Sequence, residues 1–210
     1  VLTSRGLGDV YKRQPYVLAK IISLPTVDST NTLLLNSEMC EGSSINSPNQ
    51  TKGHGRRNRQ WIDYEKSYAG SWILFDSIPD LSPGIIQILV GLSVLDTIRC
   101  LTEDENDILL KWPNDILVPI EGQWRKICGI LIESKSTGNN NVIVAGVGIN
   151  IAGKYEENFN MPVGFANDYS DKITYQNINT VLNAILASNF EKIEALPELT
   201  FVKIEKRLNS

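Results

Sequence analysis

Two apolar, β-branched runs, residues 127–133 and 142–151, flank a Gly- and Asn-rich stretch at 137–141, and this arrangement constrains the fold more than any other part of the chain. Runs of that composition favour strands, and a short turn-forming joint between two of them makes an antiparallel hairpin. Both runs carry glycine where a side chain is expected: Gly129 in the first, Gly146 and Gly148 in the second. Side chains alternate across a strand, so Gly146 and Gly148 share one face and open a slot beside which a flat ring fits. A bulge at a tight bend is the competing explanation. As a dinucleotide fingerprint the pattern fails, because GxGxxG is incomplete and no helix follows.

The rest of the chain alternates between strand and helix patterns. Residues 16–24 read as a first strand, after which Asp28, Ser29 and Thr30 offer capping side chains for a short helix through Leu33, Leu34 and Leu35. A polar stretch rich in Ser and Asn follows, and residues 53–61 have no apolar face and read as a loop. Residues 72–78 and 108–112 are further strand candidates. Ser82 and Pro83 open a helix in which Ile85, Leu89, Leu92 and Leu95 recur at helical spacing towards Leu101. Residues 179–196 and 198–208 look helical, with Pro197 as punctuation. The expected class is α+β or α/β, a mixed β-sheet backed by helices, with no internal repeat.

Composition narrows the function classes. With 42% hydrophobic and 21% charged residues in 210, one globular domain of ordinary size is expected. No stretch is read as apolar enough to cross a bilayer, and no secretory signal pattern opens the chain. His54 is the single histidine, which rules out HExxH zinc sites and leaves Ser/His/Asp chemistry only that one residue. Cys40, Cys100 and Cys128 show no CxxC spacing, so neither a disulfide framework nor a cysteine metal site is indicated, and a cytoplasmic location is expected. Residues 1–14 (VLTSRGLGDVYKRQ) lack convincing periodicity and resemble translated sequencing-adapter sequence, so they are read as a non-native leader, with the domain at 15–210. Without them 17 basic side chains face 23 acidic ones, which argues against general nucleic-acid affinity.

Four segments carry candidate chemistry. The loop Gly53-His54-Gly55-Arg56-Arg57-Asn58-Arg59-Gln60-Trp61 concentrates positive charge where glycines allow close backbone approach, as a bound triphosphate requires. A solvated basic loop is the alternative, and no Walker pattern is present. Lys111-Trp112-Pro113-Asn114-Asp115 ends a strand in a turn that would deliver an amide and a carboxylate to the sheet rim. Arg125-Lys126-Ile127-Cys128-Gly129-Ile130-Leu131 puts a lysine at the mouth of a strand. Ala145-Gly146-Val147-Gly148-Ile149-Asn150 is the fourth.

In this order and spacing, with Asp28-Ser29-Thr30-Asn31 and Gln50-Thr51-Lys52-Gly53 ahead of them, these segments resemble the catalytic domain of biotin protein ligases, a class II aminoacyl-tRNA synthetase-like domain. The resemblance runs from about Leu24 to Asn150, and KWPND followed by RKxxGIL is its most diagnostic pair. It implies activation of biotin by ATP and Mg²⁺ to biotinyl-5′-AMP, then transfer to one lysine of a biotin carboxyl carrier protein. Carried onto matching positions, Ser29, Thr30 and Gln50 would bind the biotin ureido ring, with Gly53, His54, Gly129, Gly146 and Gly148 lining its site. Lys126 and Arg56 would be the catalytic cations; Arg57, Arg59, Trp61, Asn114, Asp115 and Asn150 would face the nucleotide. No residue is assigned to hold a metal directly. A homodimer is expected, and neither nucleic acid nor membrane is an expected partner.

The chain departs from the family pattern where His54 replaces an arginine and Asn58 a glycine, and residues 66–72 match poorly. A small carboxyl-terminal β-barrel found in family members is expected to be missing. Lipoate protein ligase, a DNA-binding repressor and a non-catalytic biotin-binding module are the competing readings.

Overall fold

In the computed structural model the described residues are 20–75, 82–102, 108–137, 140–155 and 162–194. They form one seven-stranded sheet in the order β1-β2-β3-β7-β6-β5-β4. The strands are β1 (Lys20–Ser23), β2 (Ser43–Ser47), β3 (Lys66–Phe75), β4 (Leu109–Lys111), β5 (Asp115–Ile120), β6 (Gln123–Thr137) and β7 (Asn140–Ala152). Only β1 and β2 pair in parallel; every other neighbouring pair is antiparallel, so the sheet is mixed.

The hairpin expected from the two glycine-bearing runs is β6–β7, the centre of the sheet. Its register sets Gly129 opposite Gly148 and Leu131 opposite Gly146. On the other side of β7, Gly148 faces Ala69 and Gly146 faces Ser71. Alternation therefore builds one patch of almost no side chains, Ala69, Gly148 and Gly129 in one row with Ser71 and Gly146 in the next.

The two faces of the sheet are covered differently. On the face away from the patch, α2 (Pro83–Thr102) and α3 (Tyr175–Glu194) bury Tyr68, Trp72, Ala145, Val147, Ile149, Cys128 and Ile130 in the main core. Trp72 is 1% exposed, and its indole N–H donates to Asn183 Oδ1 at 2.7 Å, which satisfies the one polar atom such burial brings in. Truncating it to Ala would remove about 3–5 kcal/mol. On the patch side a smaller cluster, Leu34, Ile45, Ile73 and Val144, seats the short helix α1 (Thr30–Leu35), whose Asn31 covers Gly146 and leaves Gly148 and Gly129 uncovered by helix.

Several expectations need correction. Strand β2 (SSINS) has the sequence of a polar loop, yet all five residues are buried; its ladders to β1 and β3, and Tyr175 Oη donating to Asn46 Oδ1 at 2.6 Å, override composition. Strand β3 starts at Lys66 rather than 72, and β5 begins at Asp115, where only a turn was read. The loop after Gly53 contains a 3₁₀ turn, Arg56–Asn58, and a bridge between His54 and Gln60. Helix α2 is long and apolar enough, by length and composition, to cross a membrane, with a window of mean hydropathy 1.7. Its apolar positions are accounted for by packing, since Ile86, Val90, Val94 and Ile98 are wholly enclosed against the sheet and α3. The readings at 1–14, 16–19, 76–78 and 195–208 lie outside the described residues.

Candidate active site

A cleft of 340 Å³ opens over the glycine patch. Its first wall comes from the turn into α1. Ser29 caps that helix, its Oγ accepting from Thr32 N at 3.4 Å. Thr30 donates to Gln50 Oε1 from both its backbone N (2.9 Å) and Oγ1 (3.2 Å). The two segments are aligned by a parallel bridge from Val27 to Gln50 and by Lys52 N donating to Asp28 O at 2.8 Å. An exposed Lys52–Asp28 ion pair at 2.7 Å lies outside them, and the Lys52 and Thr51 hydrogen bonds hold the Asp28 carboxyl below its ordinary range. These contacts fix an uncharged set of donors and acceptors, Ser29, Thr30, Asn31 and Gln50, on one wall of the cleft.

The floor is the glycine patch, and the flat ring lying on it is the chain's own Trp61. A Cβ added at Gly148 would stand 2.5 Å from Trp61 Cζ2, and one at Gly129 would stand 2.8 Å from Trp61 Cζ3. At Gly146 the same atom would collide with the Asn31 amide. The glycines thus make room for an indole and an amide. Trp61 is oriented by its own N–H, which donates to Asp63 Oδ1 at 3.1 Å, and Asp63 also accepts from the backbone N of Gln50. Burial raises the Asp63 carboxyl above its ordinary range, against the lowering effect of those two hydrogen bonds.

The remaining walls are cationic. Lys126 Nζ lies 2.7 Å from Asp115 Oδ1 and 5.7 Å from the centroid of the Trp61 ring. Its backbone is fixed from both sides, N donating to Pro162 O at 2.9 Å and O accepting from Gly164 N at 2.8 Å. Arg56 reaches from the loop to the β4–β5 turn, Nη1 donating to Asn114 Oδ1 at 3.2 Å. That turn contains a cis Trp112–Pro113 bond and is closed by Asn114 N to Lys111 O at 3.2 Å. Arg57, at φ 57°, and Arg59 complete the lining, and Asp115 is the one acidic group among the described residues that line the cleft.

Of the residues singled out from the sequence, Ser29, Thr30, Gln50, His54, Arg56, Arg57, Arg59, Trp61, Asn114, Asp115, Lys126, Gly129, Gly146 and Gly148 all line this cleft. Gly53 stands behind it, its carbonyl accepting from Trp61 N at 3.0 Å. Asn150 is 4% exposed and is not among the lining residues; its Nδ2 donates to the carbonyls of Lys126 (3.5 Å) and Gly164 (3.4 Å). Sequence reasoning missed Asn31, Ser71, Asp63 and Glu133. Glu133 was legible in the period of two that runs from Gly129 through Leu131; Asp63 carries no such signal.

The biotin/lipoate A/B protein ligase family matches residues 23–150, more than half of the chain. A biotin–[acetyl-CoA-carboxylase] ligase of Paracoccus denitrificans is 29% identical over 133 residues, 62% of this chain and 54% of that protein. A bifunctional ligase/repressor of Bacillus spizizenii is 32% identical over 150 residues, 70% of this chain and 43% of its own length. The chain therefore spans about half the length of the curated relatives it matches. Among solved structures, the biotin protein ligase of Aquifex aeolicus in complex with biotin and ATP superposes with a TM-score of 0.68 at 23% identity, over 84% of this chain and 72% of that one. The biotin protein ligase of Leishmania major in complex with biotin gives 0.68 at 18% identity, over 92% and 81%. These likenesses establish the fold, and the match over residues 23–150 makes the chain a member of the biotin/lipoate A/B protein ligase family.

Proposed function

We propose that the chain activates biotin with ATP to biotinyl-5′-AMP and passes the acyl group to a lysine of a biotin carboxyl carrier domain. The observation that carries this reading is one cleft lined both by an uncharged polar set (Ser29, Thr30, Gln50) and by a cationic set (Lys126, Arg56, Arg57, Arg59). The first suits a neutral cyclic urea, which offers two N–H donors and one carbonyl; the second suits a carboxylate meeting a triphosphate.

The chemistry needs no histidine base. A carboxylate oxygen of biotin is already ionised when it attacks the α-phosphorus; the bond from that phosphorus to the bridging oxygen breaks and pyrophosphate leaves. Two anions must be brought together and the transition-state charge stabilised, work for Lys126 and Arg56. In the second step the acceptor amine attacks the acyl carbon, the acyl–phosphate oxygen bond breaks, AMP leaves and the ammonium proton passes to water. No group of three His, Cys, Asp or Glu among the described residues is placed to hold a cation. Asn114 and Asp115, which line the cleft, would be the residues to meet a Mg²⁺ carried by the nucleotide, and the ion would supply charge neutralisation.

Incubation with biotin, ATP, Mg²⁺ and a carrier domain, followed by intact-mass analysis, tests the reading. A biotin increment on the carrier supports it; pyrophosphate release with lipoate but not biotin would replace it by the lipoate branch. The same reading places the chain in the cytoplasm, supported by free Cys40, Cys100 and Cys128, and as a self-associating protein, which sedimentation would check.

A further inference from the structure

Among the described side chains of the loop at 53–61, three hydrogen-bond to residues outside it. Arg56 reaches Asn114, and Trp61 reaches the neighbouring Asp63. The third tie runs to the central hairpin: His54 Nε2 lies 3.2 Å and 3.1 Å from the two carboxylate oxygens of Glu133. Two acceptors face one ring nitrogen, so Nε2 carries the proton and donates.

Glu133 is well built to act as an anchor. It sits on β6, two residues beyond Leu131 on the patch side, with its backbone paired to Val144 of β7. Its carboxylate is oriented before the loop arrives, because Oε2 accepts from Asn31 Nδ2 at 2.9 Å. Asn31 is itself 3% exposed and held by Ser71 Oγ, 2.6 Å from Asn31 Oδ1. An ionised acceptor fixed to the sheet binds more firmly than the loop's neutral contacts with itself, Gly55 N to Arg59 O, Arg59 N to Arg56 O and Trp61 N to Gly53 O. A second cleft, of 440 Å³ and lined by Arg56, Trp112, Ile132 and Glu133, opens beyond it, so the anchor stands at the partition between the two.

We propose that Glu133 is a positioning residue for the ligand loop: through His54 it holds the start of the loop at the cleft wall and sets how often the loop opens. The consequence for catalysis rests on the reading that an acyl-adenylate forms here, because retention of that intermediate is what a closed loop provides.

Amide hydrogen exchange on the ligand-free chain tests the anchor without reference to activity. His54→Ala and Glu133→Gln should each speed exchange at Gly55, Arg59 and Trp61 about tenfold. The double variant should go no further than either single one, His54→Gln should retain protection through its own donor, and the β6 and β7 amides should be unchanged. Unchanged loop exchange in both single variants, or strictly additive effects, would overturn the proposal. If Glu133→Gln fails to fold, His54→Ala on the loop still decides it. A second arm with biotin and ATP should show a raised KM for biotin and more free adenylate in both single variants, with little change in the first-turnover rate of pyrophosphate formation in Glu133→Gln, whose side chain is outside the lining of the glycine-floored cleft. A chain that releases no pyrophosphate overturns the proposed function and leaves the anchor to be judged by exchange.

Discussion

Lys126 Nζ stands 2.7 Å from Asp115 Oδ1, yet that oxygen receives no aligned hydrogen bond. The contact is a close ion pair held by charge rather than by geometry, with the two side chains 26% and 16% exposed. Each offsets the charge of the other. In the proposed reaction a ligand carboxylate or phosphate would compete for Lys126, and Asp115 would then be the group to meet a cation carried by the nucleotide. One counter-charge is exchanged for another, so neither group is left buried and unpaired, the condition that is strongly destabilising. Lys126→Ala breaks this exchange and removes the compact cation nearest Trp61. Pyrophosphate release with biotin and ATP should fall about 10²–10³-fold. An unchanged rate would remove Lys126 from the chemistry.

The indole on the glycine floor gives a second test. Gly148→Ala places a methyl 2.5 Å from Trp61 Cζ2, with Ala69 beside it in the β3–β7 register, so the ring must lift. Overpacking of this kind costs about 1–3 kcal/mol. Trp61 is at the loop's end and can swing outward, so the cost in global stability should stay near the lower figure while biotin affinity falls tenfold or more. Calorimetric titration beside a denaturant melt separates the two. Equal affinity in the variant would mean that the floor is not kept bare for the indole.

How much of this could be read from the residues alone depends on whether local chemistry and tertiary context agree. At β6–β7 they agree: β-branched runs, a Gly/Asn turn and glycines in step all point to one hairpin, and the register sets those glycines opposite each other. Ser29 as a helix cap is legible for the same reason. At β2 they conflict, because Ser43, Ser44, Asn46 and Ser47 become strand only through neighbours far along the chain. Asn150 was placed at the nucleotide by the family resemblance alone; its side chain meets the carbonyl of Gly164, a segment that no local pattern predicts. The floor was read as a slot for a ligand ring; that Trp61 lies there follows from Asp63, whose partner across the loop is invisible in sequence.

Asp63 predicts a pH dependence with two opposite signs. Burial raises its folded-state pKa above 3.8, so its own contribution to folding is present below the unfolded value and is lost as pH rises through the folded value. The loop requires the reverse: Trp61 Nε1 and Gln50 N both donate to the carboxylate, and a proton on either oxygen removes an acceptor. Biotin affinity should therefore weaken on acidification, beginning above the ordinary carboxylate range and ahead of any unfolding. Asp63→Asn, with one acceptor in place of two, should bind weakly throughout and lose this dependence. A flat profile in the unaltered chain would exclude Asp63 as the link between Gln50 and Trp61.

Arg56 joins the ligand loop to the β4–β5 turn through Asn114 Oδ1 at 3.2 Å, and it also brings positive charge to the cleft wall. Arg56→Gly removes both the tie and the charge while touching no buried group, so stability should change by no more than about 0.5 kcal/mol. Adenylate formation should survive in part, because Lys126 remains. What should fail is retention: an acyl-adenylate no longer held by the guanidinium diffuses out and acylates whatever amines it meets. Incubation of the variant with biotin, ATP and an unrelated lysine-bearing protein should label that protein, whereas the unaltered chain should not. Strict selectivity for the carrier domain in Arg56→Gly would show that the intermediate is retained by the other two loop ties, His54 to Glu133 and Trp61 to Asp63, and that Arg56 serves only to dock the loop.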